Sequence, residues 1–289
     1  MVNLLHICET MINRSFSEEE IAVPIDVLEK FAEKNNLELR KKIIKNKNRY
    51  KIVRRKIPIH YVSGDEENLI NFLDISDIHI GNSNFDEQML RSTLKQAMDM
   101  GIKIVFIAGD VFEGVTTDND VLKIRNDQIE YAYQIFKDYP LKYYVINGNH
   151  DYTFEQFDMS NPIKILANRL QNMGINFNFF DTYVMDFIIG GVVKRVMHVE
   201  RQDFTKKRIF AIEKLKQFEK ELGLTVIYEG NEYPVRFFQA GHIHVNVQMY
   251  YAKRKIFISQ SGSFLKTDED VDRANFISAK IIDKKVFMC

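Results

Sequence analysis

Residues 143–152 read YYVINGNHDY. An apolar run, Tyr143 to Ile146, halts at Asn147 and gives way to Gly148, Asn149, His150 and Asp151. A strand that ends in a tight turn has use for the glycine. It has no structural need for an amide, an imidazole and a carboxylate in direct succession. Whether those three side chains have partners depends on how the other strands of the chain end.

Working outward, the chain alternates. LINFLDIS (69–76), KIVFIAGD (103–110) and LKYYVIN (141–147) read as buried strands. DEQMLRSTLKQAMDMG (86–101), VLKIRNDQIEYAYQIFKD (121–138) and PIKILANRLQNMG (162–174) read as amphipathic helices. Strands separated by helices of this length predict an α/β (α+β) fold with a parallel sheet. Beyond residue 175 the segments are mostly strand-like: INFNFF, YVMDFII, VVKRVMH, YPVRFFQAG, VQMYYA, KIFISQSG and ANFISAKIID, with a helix near 204–222. They predict a second sheet packed on the first.

The strand ends are where polar residues gather. The first ends in Asp77-Ile78-His79, whose outer side chains share a face at a period of two. The second ends in Gly109-Asp110, the third in Gly148-Asn149-His150-Asp151. Later strands deliver His198 and Gly241-His242-Ile243-His244. Five of the seven histidines fall at such ends, where loops of α/β sheets converge on ligands. Each signal alone has a plain reading: Gly-Asp is an ordinary turn, and a lone His198 suits a satisfied sheet position. Taken in order they form one set. Asp, Asn and His without Cys suit Mn, Fe, Zn, Ni or Mg. Asp77, His79, Asp110, Asn149, His198, His242 and His244 are seven candidate ligands, too many for one open catalytic ion and right for two sharing a carboxylate. Paired ions serve in-line displacement at phosphorus, activating water and neutralising phosphate oxygens.

This order of motifs resembles the calcineurin-like metallophosphoesterase superfamily over roughly residues 68–289. The resemblance implies a four-layer αββα sandwich. It implies that Asp77, His79, Asp110 and His244 hold one divalent ion. Asp110, Asn149, His198 and His242 would hold the other, with Asp110 bridging and Mn the leading metal. His150 would stabilise the transition state and protonate the leaving oxygen, oriented by Asp151. Gly262-Ser263 resembles the family's late Gly-Ser turn, though a plain turn reads the same. GNHD followed by an aromatic, and GDVFEG at 109–114, are most similar to SbcD-type DNA repair exonucleases. That branch implies an ATPase partner subunit and carries a capping domain after its GHxH motif, whereas this chain runs only 45 residues past His244.

Residues 1–65 differ from the domain at 66–289. SFSEEEIAVPIDVLEKFAEKNN (15–36) predicts a helix capped near Ser17. From Arg40 to Lys56 there are ten Lys or Arg and no acid, which predicts a short helix, a turn at NKN and a strand, a winged-helix-like appendage. A linker follows around Ser63-Gly64-Asp65. Arg40, Lys41, Lys42, Lys45, Arg49, Arg54 and Arg55 could grip a DNA backbone; a solvated basic face is the alternative. Tyr152, Phe154 and Phe157 could stack bases or belong to the core.

Lys and Arg total 40, as do Asp and Glu, so no global field recruits nucleic acid or membrane. The two cysteines, Cys8 and Cys289, form no disulfide framework and no metal knuckle. MVNLLHICETMI (1–12) lacks a basic leader, and no apolar run approaches the roughly 18–20 residues of a membrane span. The expectation is a cytoplasmic phosphoester hydrolase, foremost a phosphodiesterase or nuclease acting on DNA. A phosphatase or nucleotide phosphodiesterase for small substrates is the alternative. A binding protein that keeps the fold without chemistry would be expected to have lost ligands, and none is missing here.

Overall fold

The computed structural model describes residues 15–17, 20, 23–34, 37–44, 47–54, 57–62, 69–115, 121–154, 160–198, 210–266, 274–282 and 284–288. In the first region, β1 (Ser15–Phe16), β2 (Leu37–Ile44) and β3 (Lys47–Arg54) form an antiparallel sheet in the order β1-β3-β2 beside α1 (Ile25–Lys34). This differs from the expected winged-helix shape. Residues 37–44 are a strand, not a short helix, because β-branched Ile43 and Ile44 pair across to Asn48 and Lys47 while Leu39 faces Ile52. α1 begins after Pro24, whose carbonyl accepts the Leu28 amide, rather than at Ser17. Phe16, Leu28, Ala32 and Tyr50 are buried between helix and sheet.

Two larger sheets make the rest. The first runs β16-β15-β5-β6-β7-β8, from β5 (Leu69–Ile75), β6 (Ile104–Ala108), β7 (Lys142–Ile146), β8 (Phe177–Phe180), β15 (Asn275–Ile282) and β16 (Lys285–Met288). Its central strands β5 to β8 are parallel. The second runs β13-β14-β12-β10-β9-β4, from β4 (Ile59–Val62), β9 (Val184–Ile189), β10 (Val192–Met197), β12 (Asn231–Ala240), β13 (Val247–Tyr251) and β14 (Ile256–Gln260), with β11 (Thr225–Tyr228) on β12. Ile59–Val62, within the segment read as appendage, therefore joins the second sheet beside β9. The linker expected around 63–65 lies outside the described residues.

Strand alternation sorts the core into layers. Leu73, Ile75, Val105, Ile107, Tyr143 and Val145 pack outward against α2 (Glu87–Asp99), α3 (Val121–Phe136) and α5 (Pro162–Asn172). Phe72, Phe106, Tyr144 and Ile146 point the other way, onto Phe187, Ile189, Val196 and Phe237 of the second sheet. Val193, Met197, Phe238 and Ile258 pack outward under Leu215 and Phe218 of α6 (Phe210–Leu222). The result is the expected four-layer αββα sandwich. Helix ends follow local chemistry. Asp86 caps α2 by accepting the Met89 amide, and Asn161 caps α5, with Pro162 at its first turn.

Candidate metal centre

The strand ends that the sequence singles out meet at one edge of the two-sheet sandwich. Asp77 and His79 follow β5, Asp110 follows β6, and His198 follows β10. Asn149 and His150 open α4 (Asn149–Thr153) directly after β7, and His242 and His244 follow β12. Asp77, His79, Asp110, His242 and His244 all have positive φ, between 52° and 87°. For a residue with a Cβ this conformation costs about 1–2 kcal/mol. Five such residues in one cleft mark a geometry that surrounding structure enforces for a purpose. The backbone reverses at each strand end and turns the side chain inward.

Close approach of these loops depends on glycine. A Cβ at Gly148 would collide with the amide and carboxylate of Asp110, and one at Gly109 would meet Asn147, Gly148 and the His198 ring, all at 2.8 Å. The turn after β7 can therefore lie directly on the turn after β6.

Two groups of ligand atoms result: Asp77, His79 and His244, and Asp110, His198 and His242. In the first, His244 Nε2 lies 3.3 Å from Asp77 Oδ1 and 3.1 Å from His79 Nε2. In the second, Asn149 Oδ1 lies 2.9 Å from His198 Nε2 and 3.0 Å from His242 Nδ1. Asp110 joins the two, its Oδ2 4.0 Å from His79 Nε2 and 3.2 Å from His198 Nε2. That oxygen is buried and has no hydrogen-bond partner, while Oδ1 accepts the His150 amide. His150 and Glu113 form an overlapping third group through His79.

Tautomers are set from outside. His198 Nδ1 donates to the Ala108 carbonyl (2.6 Å), so that in the neutral ring it is Nε2 that has the lone pair, toward Asp110. His79 Nδ1 pairs with Glu113 Oε2 (2.9 Å), which leaves its Nε2 facing inward. Lone pairs and carboxylate oxygens thus converge on each other, and an orphaned Asp110 oxygen lies at the junction. Such a donor set fits a pair of divalent cations.

The protonation pattern tells the same story. Burial pushes Asp77 up, but His244 and then His198 outweigh it and hold the carboxyl at about 2. Burial likewise opposes ionisation of Asp110, yet His198, His150 and His79 pull it well below the carboxylate range. Burial lowers His198, and Asp110 and Asp77 more than reverse this, lifting it to about 9. Burial and the neighbouring His198 take His242 down to about 4. Without cations, protons on His198 and His244 supply the positive charge that these carboxylates demand.

Asp151 acts differently from expectation. Its carboxylate accepts the amides of Val111, Phe112 and Gly148, so it pins the β6 and β7 turns together. The His150 ring instead donates Nδ1 to the Glu113 carbonyl at 2.7 Å. Glu113 is one residue that the sequence motifs do not single out; its signal is the acid three places after Asp110. Ser76, which donates to Asp77 Oδ2, was also missed. Gly262-Ser263 is buried against the centre: the Phe264 amide donates to the Asp77 carbonyl, and the Ser261 amide to that of Ala240.

Of the aromatics considered for base stacking, Phe154 is fully buried in the core, and Phe157 lies outside the described residues. Tyr152 is half-buried with its ring 6.4 Å from that of Tyr183. Among the basic residues, Arg40, Lys41 and Lys42 lie on β2, and Arg49 and Arg54 on β3. Lys45 and Arg55 lie outside the described residues. Among the described residues no helix is long and apolar enough to cross a membrane.

A sequence model of the calcineurin-like phosphoesterase family matches residues 70–246. A search of curated proteins finds no match. Among solved structures, similarity is found to a conserved uncharacterized protein, a predicted phosphoesterase, from Streptococcus pneumoniae. The two are 14% identical with a TM-score of 0.36, covering 74% of this chain and 84% of that one. A single mutant of Vps29 from Entamoeba histolytica is 15% identical with a TM-score of 0.38, covering 75% and 96%. A dimetal phosphatase from Danio rerio is 12% identical with a TM-score of 0.42, covering 74% and 93%. At these scores the structural likenesses carry no argument about activity.

Proposed function

The chain belongs to the calcineurin-like phosphoesterase family, a metal-dependent phosphoester hydrolase, and on that premise we propose that it is a phosphodiesterase that cleaves DNA. The observation that carries the hydrolase reading is the orphaned Asp110 Oδ2 between two inward-facing ligand groups. Asp77, His79, Asp110 and His244 would hold one divalent ion, and Asp110, Asn149, His198 and His242 the other. Bound ions of this kind supply Lewis acidity, an activated water and a clamp on phosphoryl oxygens; Mn is the metal we favour.

The chain's own groups do the rest. His150 is fixed through Nδ1 by the Glu113 carbonyl, so its other nitrogen can carry a proton to the leaving oxygen. Burial disfavours the charged ring, but Asp110, the Glu113 carbonyl and nearby carboxylates raise its pKa overall, which suits a proton donor near neutral pH. Glu113 holds His79, and Asp151 holds the two turns that carry Asp110 and Asn149.

The DNA reading is supported by the ten cations between Arg40 and Lys56 with no acid among them, each phosphate contact adding salt-dependent affinity. The SbcD-like motifs GDVFEG and GNHDY support it too and make an ATPase subunit the partner to seek. Two cysteines without a framework suit a cytoplasmic setting. Net neutrality favours the second reading, a phosphatase or nucleotide phosphodiesterase with a small substrate. The test is an activity screen over bis-p-nitrophenyl phosphate, p-nitrophenyl phosphate, and single- and double-stranded DNA, across Mn, Ni, Mg and Zn. Cleavage of DNA and of the diester with Mn is expected. Turnover of the monoester alone would overturn the nuclease reading.

A further inference from the structure

The candidate ligands are divided between the two sheets. Asp77 and His79 follow β5, Asp110 follows β6 and Asn149 follows β7 of the first, while His198, His242 and His244 follow β10 and β12 of the second. Each ligand group draws on both: His244 joins Asp77 and His79, and His198 and His242 join Asp110. The register of one sheet on the other therefore sets the distances within each group. Much of the layer between them is apolar, with Phe72, Phe106 and Ile146 against Phe187, Val196 and Phe237. Such packing is non-directional and does not by itself fix a register.

Gln239 crosses this layer. It lies on β12, fully buried, between Val196 of β10 and Ser259 of β14. Its Nε2 donates to the Ile75 carbonyl of β5 at 3.0 Å and to the Phe106 carbonyl of β6 at 3.3 Å. One amide nitrogen thus straps the backbones of two strands that reach Asp77 and Asp110 two and four residues later, and β12 itself reaches His242 three residues later. Gln239 Oε1 is buried and has no hydrogen-bond partner, so the polar worth of the side chain lies in its two donors. Other polar links across the layer differ in kind. Lys194 meets Asp74 side chain to side chain, through a flexible four-carbon stem. Asn275 of β15 donates to Ser259 Oγ and the Gln260 carbonyl of β14, and neither strand leads to a candidate ligand. At the centre itself the cross-sheet bonds are made by the candidate ligands, as from the His242 amide to the Asp77 carboxylate.

We propose that Gln239 is a positioning residue for metal binding: its strap fixes the register in which the imidazoles of the second sheet meet the carboxylates of the first. The inference rests on the two-ion reading of the centre. Without the strap, only non-directional packing and the ligands' own contacts set that register. Because each ligand group draws on both sheets, both ions are then held less tightly.

The test is titration of the metal-free protein with Mn(II), followed by calorimetry and by electron paramagnetic resonance of the bound ions, whose magnetic coupling depends on their separation. Gln239→Met keeps the bulk and loses both donors. About tenfold weaker Mn(II) binding, the low end of the loss when a ligand's support is removed, and an altered coupling signal are expected. The control is Ile277→Val or Ile277→Ala in the same apolar layer, whichever matches the melting temperature of Gln239→Met; it should leave both readouts unchanged. Equal weakening in the control means a merely structural role and overturns the proposal, as does unchanged binding in Gln239→Met. Wild-type protein that takes up fewer than two Mn(II) ions overturns the two-ion reading and this inference with it, so the two failures are told apart. If Gln239→Met does not fold, hydrogen exchange in the wild type decides. By reciprocity, a strap that raises metal affinity is itself tightened by metal, so Zn(II) should slow exchange of the Gln239 side-chain amide more than that of the Ile277 backbone amide. An equal or smaller slowing overturns the proposal.

Discussion

Strands β5 and β10 each supply two buried polar clusters that solve the same problem in opposite ways. Between the sheets, Lys194 Nζ sits 2.8 Å from Asp74 Oδ2, both fully buried, with the ammonium over the rings of Phe72 and Phe106 at 4.5 and 4.9 Å. That cluster brings its own cation. Three and four residues further along the same strands, Asp77 and His198 enter a cluster of carboxylates, imidazoles and one amide oxygen, with no Lys or Arg among its ligands. The first cluster is electrically complete; the second takes its positive charge from outside the chain, as protons on its imidazoles or as cations that its donor set could hold. Burial alone therefore does not mark a functional site. The mark is burial of acceptors whose positive partner the chain withholds.

Breaking the second cluster should have the largest effect. Asp110→Asn removes the charge shared by both ligand groups, so bound metal, measured by elemental analysis, should fall. Hydrolysis should drop by roughly a thousandfold or more, in line with the several kcal/mol that metal ions contribute. His150→Ala should reduce kcat by about 10²- to 10⁴-fold with metal content intact. Loss of metal in that variant would remove the distinction between proton donor and ligand.

The first cluster supplies the contrast. Lys194→Met strands Asp74 in the core and should cost about 3–5 kcal/mol of stability in urea denaturation, whereas Lys194→Met with Asp74→Leu should restore most of it. No apolar pair should rescue the metal centre. The smallest effect is expected at Glu113→Gln, which weakens the hold on His79 and should lower metal affinity about 10- to 100-fold by calorimetric titration. Unchanged affinity would mean that the His79 orientation is set by packing alone.

Much of the candidate site was legible because each candidate ligand follows a strand whose apolar run is unmistakable: FLDIS before Asp77, FIAGD through Asp110, YYVIN before Asn149. The helix and strand order 69–198 was legible for the same reason. Glu113 was not, since an acid in a loop carries no periodicity and only the folded chain brings it to His79. Asp151 was assigned to the neighbouring histidine, when its carboxylate reaches amides 39 and 40 residues back. The strand at 37–44 was misread because lysines at close spacing suit a helix face as well as an edge, and the pairing with β3 decided between them.

By itself, the sequence determined which residues could hold cations and that alternate positions on each strand would face two different layers, because those properties are written in residue type and in a period of two. Only the tertiary structure decided that the strands converge at one edge, that five candidate ligand residues take positive φ there, and that one Asp110 oxygen is buried without a hydrogen-bond partner. Those outcomes depend on contacts between segments up to 165 residues apart, and a chain read in one dimension holds no record of distance.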